Sequence, residues 1–262
     1  EKPAYMHSFA MSEKYIILTE HPLLVNEIDM LTMGFRDTAI IDSFNWTPSN
    51  GTRIIIVERE SGKTIHEIKT DTFFTFHHLN AFDDGDDLIV DIAIYDDWSI
   101  IDELYMNTLK SDKGALTQTS IPYRFKIDIK TGTLEKSKIV DEKIELPVIN
   151  FFKNSGKKYS FVYGVGNNKN LPPDFLNQLI KIDVETKEIK YWNPKNHYPQ
   201  EPFFVPKPNG KEDEGVVLSV VADGEKGKSF LLILDAESFT EIGRAYLPHV
   251  VPFGLHGIFV PK

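Results

Sequence analysis

Short runs of Val, Ile, Leu, Phe and Tyr recur along this chain, separated by Gly, Asn, Asp and Pro. Some alternate apolar and polar positions and others are brief continuous apolar stretches. The first pattern is that of a strand with one face buried, the second that of a strand covered on both faces. Strands are predicted at residues 15–19, 53–58, 88–95, 123–129, 159–165, 179–184, 215–221 and 230–234. Helical periodicity is weak: residues 98–110 can hold one helix or two short turns, and residues 173–177 a single turn. The expected fold class is all-β.

Four of these runs end alike. Glu58, Asp128, Asp183 and Asp235 each close an alternating strand, and three residues on stand Ser61, Thr131, Thr186 and Ser238. An acid and a hydroxyl residue at this spacing can accept the free N–H groups of a tight turn, so the unit is a recurring hairpin. The acids lie 70, 55 and 52 positions apart. Four-stranded propeller blades run at roughly 40–50 residues plus loop insertions, so about four blades are expected. An open stack of four would leave raw sheet edges, which favour aggregation. Residues 1–262 are therefore expected to be the C-terminal portion of one propeller domain, with further blades upstream of Glu1.

Composition narrows the chemistry. A formal net charge of -10 makes the chain a poor partner for nucleic acid. With no cysteine, disulfides and thiolate metal sites are excluded, and His and carboxylates remain as the strong ligands. No apolar run approaches the roughly 18 residues of a spanning helix. Three His stand among aromatic residues at strand openings: His7 between Tyr5 and Phe9, His77 after Phe76, and His256 before Phe259. An imidazole buried there without a partner costs roughly 1–3 kcal/mol, and a metal ion is one such partner. His78 is expected to pack beside His77. His21, His66, His197 and His249 occupy turn-like or hairpin contexts and are expected to be solvated. The acidic run 83–87 lacks the alternating ligand spacing of a calcium loop and is expected to be a hairpin tip.

Six blocks then occur in one order: YMHSFAMSEKYIIL (5–18), FHHLNAFDDGDDLIVDIAIYDD (76–97), ELPVIN with YGVG (145–150, 163–166), YPQEPFFV (198–205), GVVLSVV (215–221) and FGLHGIF (253–259). Together they resemble the carotenoid cleavage oxygenases, in wording closest to the animal-type branch that includes β-carotene oxygenases and the retinal pigment isomerohydrolase. The likeness covers the C-terminal half of the family pattern. It implies a seven-bladed β-propeller with axial iron, Fe(II), of which this chain supplies about four blades. It implies four His ligands, three of them matched by His7, His77 and His256, the fourth lying upstream. His77 is chosen over His78 because Asn80 stands three residues beyond it, as the family pattern has it. Glu145 and Glu201 match carboxylates that hold the ligand imidazoles, a third belonging upstream. Tyr5, Tyr95 and Leu146 fall at positions that line the substrate tunnel. The implied activity is cleavage by O2 of a conjugated double bond of a carotenoid or apocarotenoid, giving two carbonyl products. An isomerohydrolase or a stilbene-cleaving enzyme is the alternative within the family, and a metal-free binding scaffold the alternative from another class. The implied partners are the polyene, O2 and an N-terminal fragment of the same protein. The implied setting is cytoplasmic, with peripheral membrane contact through segments largely upstream.

Overall fold

The alternating runs become four consecutive antiparallel sheets in a computed structural model that describes residues 2–111 and 115–260. Glu1, the reference point for the expected upstream blades, lies outside the described residues. The first sheet starts with β1 (Ala10–Met11) and β2 (Tyr15–Glu20). After an excursion through the ribbon β3 (Leu23–Val25) and β4 (Phe44–Trp46), it adds β5 (Thr52–Glu58) and β6 (Thr64–Thr70). The second sheet is β7 (His78–Asp84), β8 (Asp87–Ile94), β9 (Ile121–Asp128) and β10 (Leu134–Lys138). The third is β11 (Glu145–Val148), β12 (Phe161–Gly166), β13 (Gln178–Asp183) and β14 (Ile189–Trp192). The fourth holds β15 (His197–Pro199) and β16 (Phe203–Pro206), both paired with β17 (Gly215–Asp223), then β18 (Lys228–Asp235) and β19 (Glu241–Tyr246). The eight predicted strands fall on β2, β5, β8, β9, β12, β13, β17 and β18.

The recurring hairpins join the third and fourth strand positions of each sheet: β5 to β6, β9 to β10, β13 to β14 and β18 to β19. The acid caps each turn as the repeat predicts. Glu58 accepts the Ser61 hydroxyl at 2.6 Å, and Asp128, Asp183 and Asp235 accept the N–H groups of Thr131, Thr186 and Ser238 at 2.8, 2.9 and 2.8 Å. The next residue returns its own N–H to the carbonyl of the acid in a left-handed conformation: Gly62, Gly132, Lys187 and Phe239, with φ of 68°, 73°, 68° and 61°. A side chain in that conformation costs roughly 1–2 kcal/mol, which the first two turns avoid with glycine.

Neighbouring sheets share their cores. Ile17, Ile54 and Ile56 of the first sheet meet Leu88, Val90 and Phe125 of the second. Phe82 and Ile89 meet Tyr159 and Ile180 of the third, and Tyr163 and Leu179 meet Phe204 and Val217 of the fourth. Fully burying one such side chain contributes about 1.5–3 kcal/mol. The opening strands of successive sheets converge, β1 beside β7 and β7 beside β11. That edge gathers the candidate site.

The structure corrects several expectations. The all-β class holds, its sheets antiparallel, but helical pieces and buried His depart from the expected details. Helix α1 (Glu27–Arg36) was not predicted, although Asn26 caps it by accepting the N–H groups of Ile28 and Asp29. Its apolar residues Ile28, Leu31 and Phe35 share one face yet are 73, 81 and 94% exposed, so no core signal marks it. The 98–110 segment forms two short helices, α2 (Ile100–Glu103) and α3 (Met106–Leu109), and α4 (Phe151–Asn154) follows β11. Residues 173–177 form no helix; the Asn167 amide donates to the carbonyls of Asp174 and Phe175 instead. His21 and His197 are buried, not solvated. His21 lies between the rings of Tyr5 and Phe74, and burial pushes its pKa down to about 4. His197 donates through Nδ1 to the Lys195 carbonyl at 2.7 Å and packs on Trp192 and Phe230. A turn-like sequence does not reveal which neighbouring element covers the turn. His66 is half-buried, donating to the Ile129 carbonyl, whereas His249 is exposed. No helix among the described residues is long and apolar enough to cross a membrane.

Candidate metal centre

Each sheet delivers a side chain from near its opening strand. His7 precedes β1, His77 immediately precedes β7, Glu145 opens β11, and Glu201 lies between β15 and β16. His256 lies in the segment beyond β19, which runs in no strand. That segment is drawn back by Gln200, which donates to the Pro252 carbonyl and accepts the Gly254 N–H, and by Glu201. One ring nitrogen each from His7, His77 and His256 lie within 4.8 Å of one another. Among the described residues no other His or carboxylate triad gathers this way.

Carboxylates hold the far sides of two rings. His77 Nδ1 donates to Glu145 Oε2 at 2.6 Å, and the same oxygen accepts the Leu146 N–H at 2.8 Å. His256 Nδ1 donates to Glu201 Oε1 at 3.0 Å, while Oε2 accepts the Gly257 N–H at 2.9 Å. The Tyr5 hydroxyl lies 3.3 Å from His7 Nδ1. Burial by itself raises the Glu145 pKa, but the hydrogen bond and charge of His77, with the Leu146 N–H and the Tyr95 hydroxyl, bring it below the ordinary carboxylate value. Burial lowers the His7 pKa, and repulsion from His77 and His256 lowers it further.

With Nδ1–H committed to carboxylates, both Nε2 atoms carry lone pairs. The Nε2 atoms of His77 and His256 are 3.4 Å apart, and the tautomers assigned from the carboxylate contacts leave neither of them protonated. Two acceptors at that separation repel, and a shared cation converts the repulsion into two bonds. Metal–imidazole bonds of roughly 2.0–2.1 Å, as for zinc, are compatible with such a spacing. The residues present therefore fit a metal held by neutral imidazoles.

Glu145 is aimed by a local distortion. Register shifts between Glu145 and Val148, and Leu146 takes φ of 49°. Bulges commonly re-aim side chains beside functional sites. The partner strand accommodates this one through Gly164, where an added Cβ would stand 2.5 Å from Ile144 Cγ1 and 2.8 Å from the Glu145 carbonyl. His78 points elsewhere: its Nδ1 meets the Ser8 hydroxyl and its Nε2 the Thr19 hydroxyl, each at 2.8 Å, and burial pushes its pKa down to about 3. Asn80 is structural, its amide donating to the carbonyls of Asn154 and Lys157.

A cavity of about 350 Å³ opens onto the three His. Tyr5, Tyr95 and Leu146 line it, together with Phe76, Ile100, Leu104, Phe175 and Phe253, which sequence reasoning did not single out. Nothing in sequence separates those five from ordinary core residues. Burial and the charge of Glu145 raise the pKa of the Tyr95 hydroxyl, which stays neutral.

Two His from the openings of successive antiparallel sheets and a third from the segment beyond β19 thus converge, two of them backed by carboxylates. The model of the family described as "Retinal pigment epithelial membrane protein" matches residues 1–261, and the chain belongs to that family. It is 34% identical over 302 residues to the "Carotenoid-cleaving dioxygenase, mitochondrial" of Macaca fascicularis, covering 99% of this chain and 54% of that protein. Among solved structures it is similar to a single-site variant of the Synechocystis apocarotenoid oxygenase, with a TM-score of 0.87 and 26% identity over 100% of this chain and 54% of that one. The cobalt-substituted form of that oxygenase gives a TM-score of 0.84 and 27% identity over 97% of this chain and 52% of that one. The chain spans about half the length of these relatives.

Proposed function

We propose that the chain is part of a non-haem Fe(II) dioxygenase that cleaves a conjugated double bond of a carotenoid or apocarotenoid, each new end becoming a carbonyl. The observation that carries this reading is the convergence of His7, His77 and His256 beside an apolar cavity, the Nε2 atoms of the last two 3.4 Å apart and their Nδ1 atoms held by carboxylates. The names of the relatives supply the reaction class, and imidazole donors suit iron. In this reading the four sheets are blades of a seven-bladed propeller and the metal lies on its axis. His7, His77 and His256 hold the iron, while a fourth His and a third carboxylate come from the rest of the protein. When bound, the iron supplies activation of O2, both of whose atoms enter the products, so no external reductant is needed.

The chain's own residues set the conditions. Glu145 and Glu201 keep the protons on Nδ1, turn the Nε2 lone pairs inward and partly offset the positive charge of the site. Tyr95, Leu146 and Phe76 form walls that orient a flat polyene and exclude water. The cavity falls within the roughly 300–1,000 Å³ common to small-molecule sites. The exposed face of α1, with Ile28, Leu31 and Phe35, suits an amphipathic helix lying in a membrane interface, and adds a segment of this chain to the membrane contact expected upstream. The proposed setting is cytoplasmic with peripheral contact.

Incubating the whole protein with carotenoids and apocarotenoids under oxygen-18 gas tests the reading. The expected products carry label at both new carbonyls, after allowance for exchange with water. An isomer formed equally well without O2 points to the isomerohydrolase, and cleavage of stilbenes alone points to that branch. Substoichiometric iron with no gain on adding Fe(II) points to the metal-free scaffold.

A further inference from the structure

His78 is fully engaged, yet nothing in the proposed chemistry uses it. Ser8 Oγ lies 2.8 Å from His78 Nδ1 and also accepts the His78 backbone N–H at 3.1 Å. Thr19 Oγ1, in β2, lies 2.8 Å from Nε2. The imidazole is thus a strut with one end on Ser8 and the other on the first sheet's second strand. Ser8 and His78 are the residues directly after His7 and His77.

The placement of His7 gives this strut its significance. Residues 5–9 lie in no strand. On one side of His7 the chain is fixed by the Tyr5 N–H, which donates to the Leu23 carbonyl at 2.8 Å. On the other side it is fixed by Ser8, before β1 begins at Ala10. His77 likewise stands just outside β7. His7, which lies outside the sheet ladders, is therefore tied, one residue along, by side-chain hydrogen bonds across the gap between two sheets to His77, whose carbonyl accepts the Ala93 N–H of β8 at 3.0 Å.

We propose that Ser8 and His78 are positioning residues, whose hydrogen-bonded link sets the separation and orientation of His7 and His77 and so the affinity and geometry of the metal site. The proposal rests on the reading of His7 and His77 as ligands. Severing the link leaves both ligands in place but frees His7 to move relative to His77. Lost support of this kind typically weakens metal affinity by roughly 10–100-fold, and the low end of that range is expected here.

The test uses the whole protein loaded with Co(II), whose d–d absorption reads ligand geometry without turnover. Ser8→Ala is compared with Thr52→Val. Thr52 makes a similar buried pair of bonds, donating to the Phe73 carbonyl and accepting the Phe73 N–H, each at 3.1 Å, away from the site. Both variants are expected to melt earlier. Only Ser8→Ala is expected to bind Co(II) about ten-fold more weakly with an altered spectrum, and Ser8→Thr, which keeps the hydroxyl, is expected to restore both. If Ser8→Ala does not fold, Thr19→Val severs the other end of the strut and takes its place. Equal Co(II) affinity and spectrum in Ser8→Ala and wild type, an equal loss in Thr52→Val, or no restoration by threonine would overturn the proposal alone. A wild-type protein that binds no Co(II) or Fe(II) would overturn the proposed function, and this inference with it.

Discussion

The two sides of each sheet follow different rules. At the last hairpin, four sheets repeat one solution: an acid, a hydroxyl residue and a left-handed position satisfy the turn from within five residues of chain. At the opening strand no two sheets present the same arrangement. The side chains there are His7, His77, Glu145 and Glu201, and the carboxylate contacts reach far along the chain: His77 to Glu145, 68 positions away, and Glu201 to His256, 55 positions away. The outer turns are self-sufficient and interchangeable, so they report only that a sheet exists. The inner openings are interdependent, and the proposed chemistry lies there.

If that contrast holds, perturbing an inner opening should cost metal and perturbing an outer turn only stability. The largest expected effect comes from His7→Ala, His77→Ala or His256→Ala. Each would remove a proposed bond to the metal, and metal retention and turnover should both be abolished, as metal analysis of the purified whole protein would show. A variant that keeps a full complement of metal would break the comparison at its centre.

A histidine pair sharpens it next. His66, in the last strand of its sheet, has a carbonyl partner, whereas His21 lies buried beyond β2 with neither ring nitrogen hydrogen-bonded among the described residues. The His21 pKa is lowered by burial to about 4. Unfolding restores an ordinary value near 6.5, so the unfolded chain binds the proton first. The stability in question is full above about pH 6.5 and is lost as pH falls towards 4, by at most about 3 kcal/mol. In His21→Leu this part of the slope should vanish, which urea midpoints at neutral and mildly acid pH would measure. An unchanged slope would assign the acid sensitivity to other groups.

Smaller again is the effect of neutralising the carboxylates. Glu145→Gln and Glu201→Gln keep shape but lose charge, and should weaken metal affinity or activity by about 10–100-fold. Unchanged affinity in both would make these acids structural. The smallest effect belongs to an outer turn. Lys187→Gly relieves a left-handed side chain, and after the added freedom of the unfolded chain should stabilise by about 0.5–1 kcal/mol. Metal content should not move; a change there would mean that the two sides of the sheet are coupled.

The outer side was legible in the sequence because its chemistry is local. The acid and hydroxyl spacing announced the hairpins, and alternation announced the strands. On the inner side the aromatic settings pointed to His7, His77 and His256 and the blocks of resemblance added Glu145 and Glu201, all of which the fold brings together. Features that depend on what covers a residue escaped. Helix α1 has no buried face to create a periodic core signal, His21 and His197 are buried by neighbouring elements, and the strut through His78 joins positions 70 apart. The bulge at Leu146 is a backbone conformation that the residue type itself disfavours, so composition could not announce it.

The segment carrying His256 has a consequence for how the chain is kept intact. From residue 247 to 260 it belongs to no strand, and much of it is exposed. Its described ties include Gln200 and Glu201 and the Ser229 hydroxyl at Val251, to which the proposed ion would add a bond through His256. Binding energy realised only in the docked state adds to the hold on that state. The ion would then act as a latch on a peripheral strap as well as a reagent. A chain that has lost it would offer proteases an accessible tail, and clearance of metal-free copies would begin at residues 247–260.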